Sequence, residues 1–165
     1  MSDVSTNAMN PSGPGGPRRR SGAASWIFAI VLIAIASFVL FRPTTPAPVP
    51  PLFEAGERSL DAAVARAAET DRVVFAVATA DWCGPCQTYK SSALADPRVA
   101  EWVSANAEPL YLDVDAAPED AGRLGVRGIP ATFLIRDGEV VASRSGVVGA
   151  GELLAWLDAE TAPSP

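Results

Sequence analysis

Apolar residues in this chain fall into one long block and a series of short ones, and the two patterns imply different surroundings. From Ser25 to Phe41 no charged residue occurs. With Gly22 to Ala24 added, the block is 20 residues long, enough for a helix to cross a hydrocarbon core of about 30 Å. We read 22–41 as a transmembrane signal-anchor helix. A buried core helix is the weaker reading, because the block is apolar all round and its flanks offer no domain to bury it. Ala34-Ile35-Ala36 has the small-x-small form of a signal-peptide cleavage site. Cleavage there would leave Phe38 to Phe41 at a new N-terminus, so an uncleaved anchor is expected.

The short blocks alternate in period. Ser59 to Thr70 sets Leu60, Val64 and Ala67 on one helical face, with Ser59 as N-cap. Val73 to Ala78 is continuously apolar, the pattern of a strand covered on both faces. A helix is expected from Cys83 to about Ala95. Asp96-Pro97 then stops it and caps another, with Val99, Trp102 and Val103 inward. Leu110 to Val114 reads as a strand and Pro118 to Leu124 as a short helix. Ala131 to Ile135 and Val140 to Ser143 read as a hairpin around Asp137-Gly138. Gly149 to Ala159 closes the chain as an amphipathic helix, and Trp102 and Trp156 are expected in the core. Strands alternating with helices, then a hairpin, imply one mixed sheet with helices on both faces.

Composition adds boundaries and orientation. Residues 1–21 are Ser, Asn, Gly and Pro with three arginines, and hold little to bury; a disordered cytoplasmic tail is expected. Arg18, Arg19 and Arg20 precede the apolar block and only Arg42 follows it closely, which exports what comes after. The expected location is the bacterial inner membrane, with the C-terminal domain facing the periplasm or cell exterior. Prolines crowd 42–54 and read as a semi-rigid linker. The folded domain is expected at 55–160, with a disordered tail at 161–165. From Leu52 onward nine basic residues face eighteen acidic ones, a net charge of minus nine. That balance excludes nucleic acid as a partner. Lys90 is the only lysine, read as compositional bias without function.

The chemistry rests on two cysteines, Cys83 and Cys86, within Trp82-Cys83-Gly84-Pro85-Cys86. A structural zinc site needs four ligands, and the chain has no third cysteine and no histidine. A c-type haem site needs a histidine at residue 87, which is Gln. No metal or cofactor is therefore expected, and what remains is a dithiol that can close on itself.

These residues resemble the thioredoxin superfamily over about 55–160. The resemblance extends beyond the dithiol to Gly125-Val126-Arg127-Gly128-Ile129-Pro130, similar to the family's loop before its cis-proline, and to Gly138 and Gly146. It implies a thioredoxin fold, a central mixed sheet flanked by helices, here with one N-terminal transmembrane helix. Ala80-Asp81-Trp82-Cys83 followed by Ala95-Asp96-Pro97-Arg98-Val99 is similar to the C-terminal domain of the DsbD disulfide reductases. The ResA and TlpA branch ranks second, because Cys86 to Pro130 leaves little room for its usual insertion.

The resemblance also implies roles. Cys83, at a helix N-terminus that stabilises a thiolate, attacks a substrate disulfide; the more buried Cys86 resolves the mixed disulfide. Gly84 and Pro85 tune the redox poise, toward reduction in similar members. Pro130 follows a cis bond, and Ile129 offers backbone to a substrate strand. Trp82 is either a platform beside Cys83 or a packed aromatic; Asp81 assists deprotonation or is simply solvated. Three family features are missing. Val77 stands where cytosolic thioredoxins bury an Asp, Tyr111 where they place a Lys, and Ser91 where they have a helix-kinking Pro. The expected function is reduction of protein disulfides outside the cytoplasm, with disulfide-bearing proteins as partners. A membrane electron donor of DsbD or CcdA type is expected, since a cysteine-free helix relays no electrons. An oxidase or isomerase, or a non-catalytic binding module, are the competing readings.

Overall fold

The computed structural model describes residues 23–40 and 46–162, which belong to two separate compact units. The expected tail at 1–21 and residues 163–165 lie outside the described residues. In the first unit, α1 runs Ala23–Leu40, 18 residues without a charge. Its side chains from Trp26 to Ile35 are exposed. At 1.5 Å per residue α1 is about 27 Å long. Among the described residues, no helix is long and apolar enough to cross a membrane. Of the block expected to span a membrane at 22–41, the structure shows a helix over Ala23–Leu40, and Gly22 and Phe41 lie outside the described residues.

The second unit is built on a four-stranded sheet in the order β2-β1-β3-β4. β1 (Val73–Thr79) pairs parallel with β2 (Ala107–Asp113) and antiparallel with β3 (Ala131–Arg136), which pairs antiparallel with β4 (Glu139–Ser145). The continuous apolar run of β1 is explained by this central place, since every one of its residues is buried. Val73, Phe75 and Val77 face one core with α4 (Pro97–Asn106) and α6 (Ala150–Thr161). Val74, Ala76 and Ala78 face another with α2 (Leu60–Glu69) and α5 (Pro118–Arg123). The expected mixed sheet between two helical layers is therefore present. Asp137 and Gly138 both have positive φ, the geometry of a type I′ hairpin turn between β3 and β4.

Several boundaries differ from expectation for local reasons. The expected helix from Cys83 to Ala95 is broken: α3 spans Gly84–Ser91, and Ala93–Ala95 is a separate 3-10 turn. The hydroxyls of Ser91 and Ser92 bond back to the Gln87 and Thr88 carbonyls, competing with the helix at its end. β2 starts at Ala107 and accommodates Pro109, because it is an edge strand. The Pro109 carbonyl points outward to the Glu57 N–H at 3.1 Å, so the missing proline N–H costs no bond to β1. Gly56 makes this approach possible, since a Cβ there would lie 2.5 Å from that carbonyl oxygen. α6 ends at Thr161, beyond the expected Ala159. Trp102 and Trp156 are only partly buried, packed at the rim of the core.

The linker expected over 42–54 is corrected most. Its described part, 46–54, packs onto the domain. Pro50 is buried, Pro51–Phe53 forms a 3-10 turn, and Phe53 is fully buried. Phe53 stacks on Phe75 and meets the edge of Tyr111, with ring centroids 6.1 and 5.6 Å apart. A large apolar ring favours burial by about 1.5–3 kcal/mol, which outweighs the extended preference of the prolines around it.

Candidate active site

The central strand delivers the dithiol. β1 ends at Thr79, and the chain turns through Ala80, Asp81 and Trp82 to Cys83, the N-cap of α3. Cys83 and Cys86 form a disulfide. The Cys86 backbone N–H donates to Cys83 Sγ at 3.2 Å. This is the unpaired N–H of a helix first turn, aimed at the sulfur on which a thiolate charge would rest. Pro85 occupies that first turn, where its missing N–H removes no helix bond. Both sulfur-bearing residues are nearly covered, Cys83 4% and Cys86 1% exposed, so the expected inequality in burial is small.

The proline loop closes the other side. The Ile129–Pro130 bond is cis, and the Ile129 carbonyl oxygen lies 3.9 Å from Cys83 Sγ. Ile129 and Val114 pack against Ala80, Cys83 and Cys86. Beside them a groove of about 380 Å³ opens, lined by Trp82, Val114, Pro118, Val126, Gly128 and Ile129. Trp82 is 71% exposed on its wall, held by its Nε1, which donates to Asp115 Oδ2 at 2.7 Å. Of the two expectations for Trp82, the structure places it as an exposed surface and not as a packed aromatic. Each residue expected at the site, Trp82, Cys83, Gly84, Pro85, Cys86, Ile129 and Pro130, therefore lies in or beside this cleft.

Three neighbours were not anticipated from the sequence. Asp115 fixes Trp82. Gln87 clamps the loop: its Nε2 donates to the Ala80 and Asp81 carbonyls at 3.2 and 3.0 Å, while its Oε1 accepts from the Ala47 N–H at 2.7 Å. Lys90, one turn after Cys86 on α3, is 2% exposed and contacts Asp81 and Tyr111. Its being the only lysine was the available signal. Asp81 is largely exposed, yet its carboxylate is engaged with Lys90. On the same helix the Tyr89 hydroxyl pairs with Thr132 Oγ1 at 3.1 Å. Burial raises the Tyr89 phenol, an effect partly offset by that bond and by Arg144.

A disulfide-forming pair at a helix start, packed on a mixed sheet and faced by a cis-proline loop, defines a thiol–disulfide oxidoreductase. A family model described as thioredoxin-like matches residues 55–136. The chain is 38% identical over 79 residues to thioredoxin from Allochromatium vinosum, covering 48% of this chain and 71% of that protein. It is 36% identical over 80 residues to thioredoxin from Pseudomonas aeruginosa, covering 48% and 71%. A mutant thioredoxin from Halobacterium salinarum superposes with a TM-score of 0.52 at 31% identity, over 73% of this chain and 95% of that one. The chain belongs to the thioredoxin superfamily.

Proposed function

We propose that this chain reduces protein disulfides outside the cytoplasm while tethered to a membrane, in the manner of the DsbD C-terminal domain. The observation that carries the reading is the Cys83–Cys86 pair, closed as a disulfide under the Ile129 carbonyl. In the reduced protein, Cys83 thiolate attacks a substrate disulfide. A Cys83–substrate disulfide forms, and the first substrate sulfur leaves with the bonding pair. Cys86 then attacks Cys83 Sγ, the second substrate sulfur leaves, and the internal disulfide closes. The Cys86 N–H and the end of α3 favour the Cys83 thiolate. A substrate strand laid along Ile129 would bring its disulfide to Cys83, with Trp82 and the groove beside it taking the flanking side chains. Gly84 and Pro85 set the poise within the first turn.

The tether is α1. Its apolar side chains are exposed from Trp26 to Ile35, and Gly22 and Phe41 extend the charge-free block to the length of a bilayer core. Arginines ahead of it favour export of the dithiol domain. A reductase there needs electrons, and the two cysteines of this chain both lie in the domain. A separate membrane donor of DsbD or CcdA type therefore recharges it.

The Cys86→Ser variant, which cannot resolve, is expected to accumulate Cys83–partner disulfides in non-reducing gels, and Cys83→Ser is not. Trapping by Cys83→Ser alone would reverse the assigned roles. Trapping by neither would remove the reductase reading.

A further inference from the structure

The one lysine of the chain is buried on α3 one turn after Cys86, and the steps above leave it without a task. Burying a charge is costly unless it is paired. The Lys90 side chain is 1% exposed, yet its only carboxylate among the described residues is Asp81, at 3.6 Å and itself 65% exposed. An exposed carboxylate is screened by water, so it neutralises the buried ammonium only in part. The remaining contacts are uncharged. The Tyr111 hydroxyl lies 3.3 Å from Nζ, and the Tyr111 ring centroid 5.9 Å. Arg58, 5.1 Å from the same centroid, adds a second positive group. The Tyr89 phenol on α3 is engaged with Thr132 and kept neutral by burial.

The placement is specific. Cys86 and Lys90 are four residues apart on α3 and both buried, so they share its inward face with Cβ atoms about 5–6 Å apart. Helical side chains lean toward the N-terminus, and contact with Asp81, two residues before Cys83, brings the ammonium toward the dithiol. Tyr111 pairs in register with Val77. That apolar side chain leaves β1 without an acid to take a proton from Cys86.

We propose that Lys90 is a positioning residue for the resolving step, its buried ammonium favouring the Cys86 thiolate. The proposal rests on the assigned roles of Cys83 and Cys86. In that step the Cys86 thiol gives its proton to solvent, and the thiolate forms one helical turn from Lys90 on the same face of α3. Its electron pair makes the Cys86–Cys83 bond. The Cys83–substrate bond breaks, and its pair leaves on the substrate sulfur, which takes up a proton. The two cysteines lose two electrons and the substrate disulfide gains them.

Single turnover of the reduced full chain with a nitrobenzoate disulfide separates the events. A first nitrothiophenolate release reports Cys83 attack and a second reports Cys86 attack. In Lys90→Met the pH midpoint of the second release is expected to rise by about one unit, the lower end of the effect of a nearby opposite charge, while the first moves less. Lys90→Arg is expected to restore the wild-type midpoint. Asp81→Asn, a change at an exposed position, is expected to move the second midpoint down and serves if Lys90→Met does not fold. An unchanged second midpoint in folded Lys90→Met, or in Asp81→Asn, overturns the role of Lys90. Absence of the first release from the wild type overturns the oxidoreductase roles themselves.

Discussion

At the scale of single residues, two side chains far from sulfur decide how well the site is held. Phe53 fills the core from a segment whose prolines read as a linker. Phe53→Ala is expected to lower unfolding free energy by about 3–5 kcal/mol in urea titration, the usual cost of a truncated core aromatic. A loss under about 1 kcal/mol would return the segment to the status of a linker. Asp96 caps α4 by accepting from the Arg98 N–H at 2.9 Å and pairs with its guanidinium. Hydrogen bonds from Arg98 hold the Asp96 carboxyl below the usual aspartate range. A lowered folded value means stability that is present above the ordinary aspartate value and lost as pH falls through the lowered one. The melting-temperature gap between wild type and Asp96→Ala is therefore expected at neutral pH and should narrow on acidification. A gap that stays constant down to strong acid would show that the charge contributes nothing.

At the scale of elements, the site depends on a short helix and a strap. α3 has only Gly84–Ser91 in which to present a sulfur at its N-terminus and a lysine on its inward side. The strap at 46–50 is tied to that helix through Gln87. Gln87→Ala is expected to speed hydrogen exchange at the Ala47 amide while the sheet amides keep their protection. Equal exchange in both proteins would mean that the packing of Val49 and Pro50 alone holds the strap. The sequence pattern placed every strand and most helices, because burial imposes a period that neighbours in sequence reveal. It missed the break after Ser91, which comes from serine hydroxyls competing for helix carbonyls. It also missed the start of β2, which is set by pairing with Val73 and not by local hydrophobicity.

At the scale of the molecule, the proposed function divides between two units: attachment is assigned to α1 and thiol–disulfide exchange to the dithiol domain. Under the proposed reading, Ile30→Asp with Ile33→Asp is expected to shift the protein from the carbonate-washed membrane pellet to the supernatant. The thiol–disulfide equilibrium of the domain with glutathione should not change. Wild-type protein found wholly in the supernatant would remove the tether from the function. Net acidity of the domain affects neither property directly; it disfavours docking onto anionic surfaces.

The sequence by itself determined the dithiol and the order of strands and helices, because each is written in neighbouring residues, a Cys-x-x-Cys spacing and an apolar period; the proline loop was legible only through the family resemblance of its Gly-Ile-Pro residues. Only the tertiary structure decided what surrounds the sulfur. Lys90 and Asp81 are nine residues apart, Gln87 and Ala47 forty, and Trp82 and Asp115 thirty-three. Such contacts exist because β1 lies between β2 and β3 and folds distant segments onto one edge, and no local pattern records them. Burial turned the single lysine from an oddity of composition into a buried charge on the helix that carries the dithiol, since the cost of an ion depends on the solvent it loses.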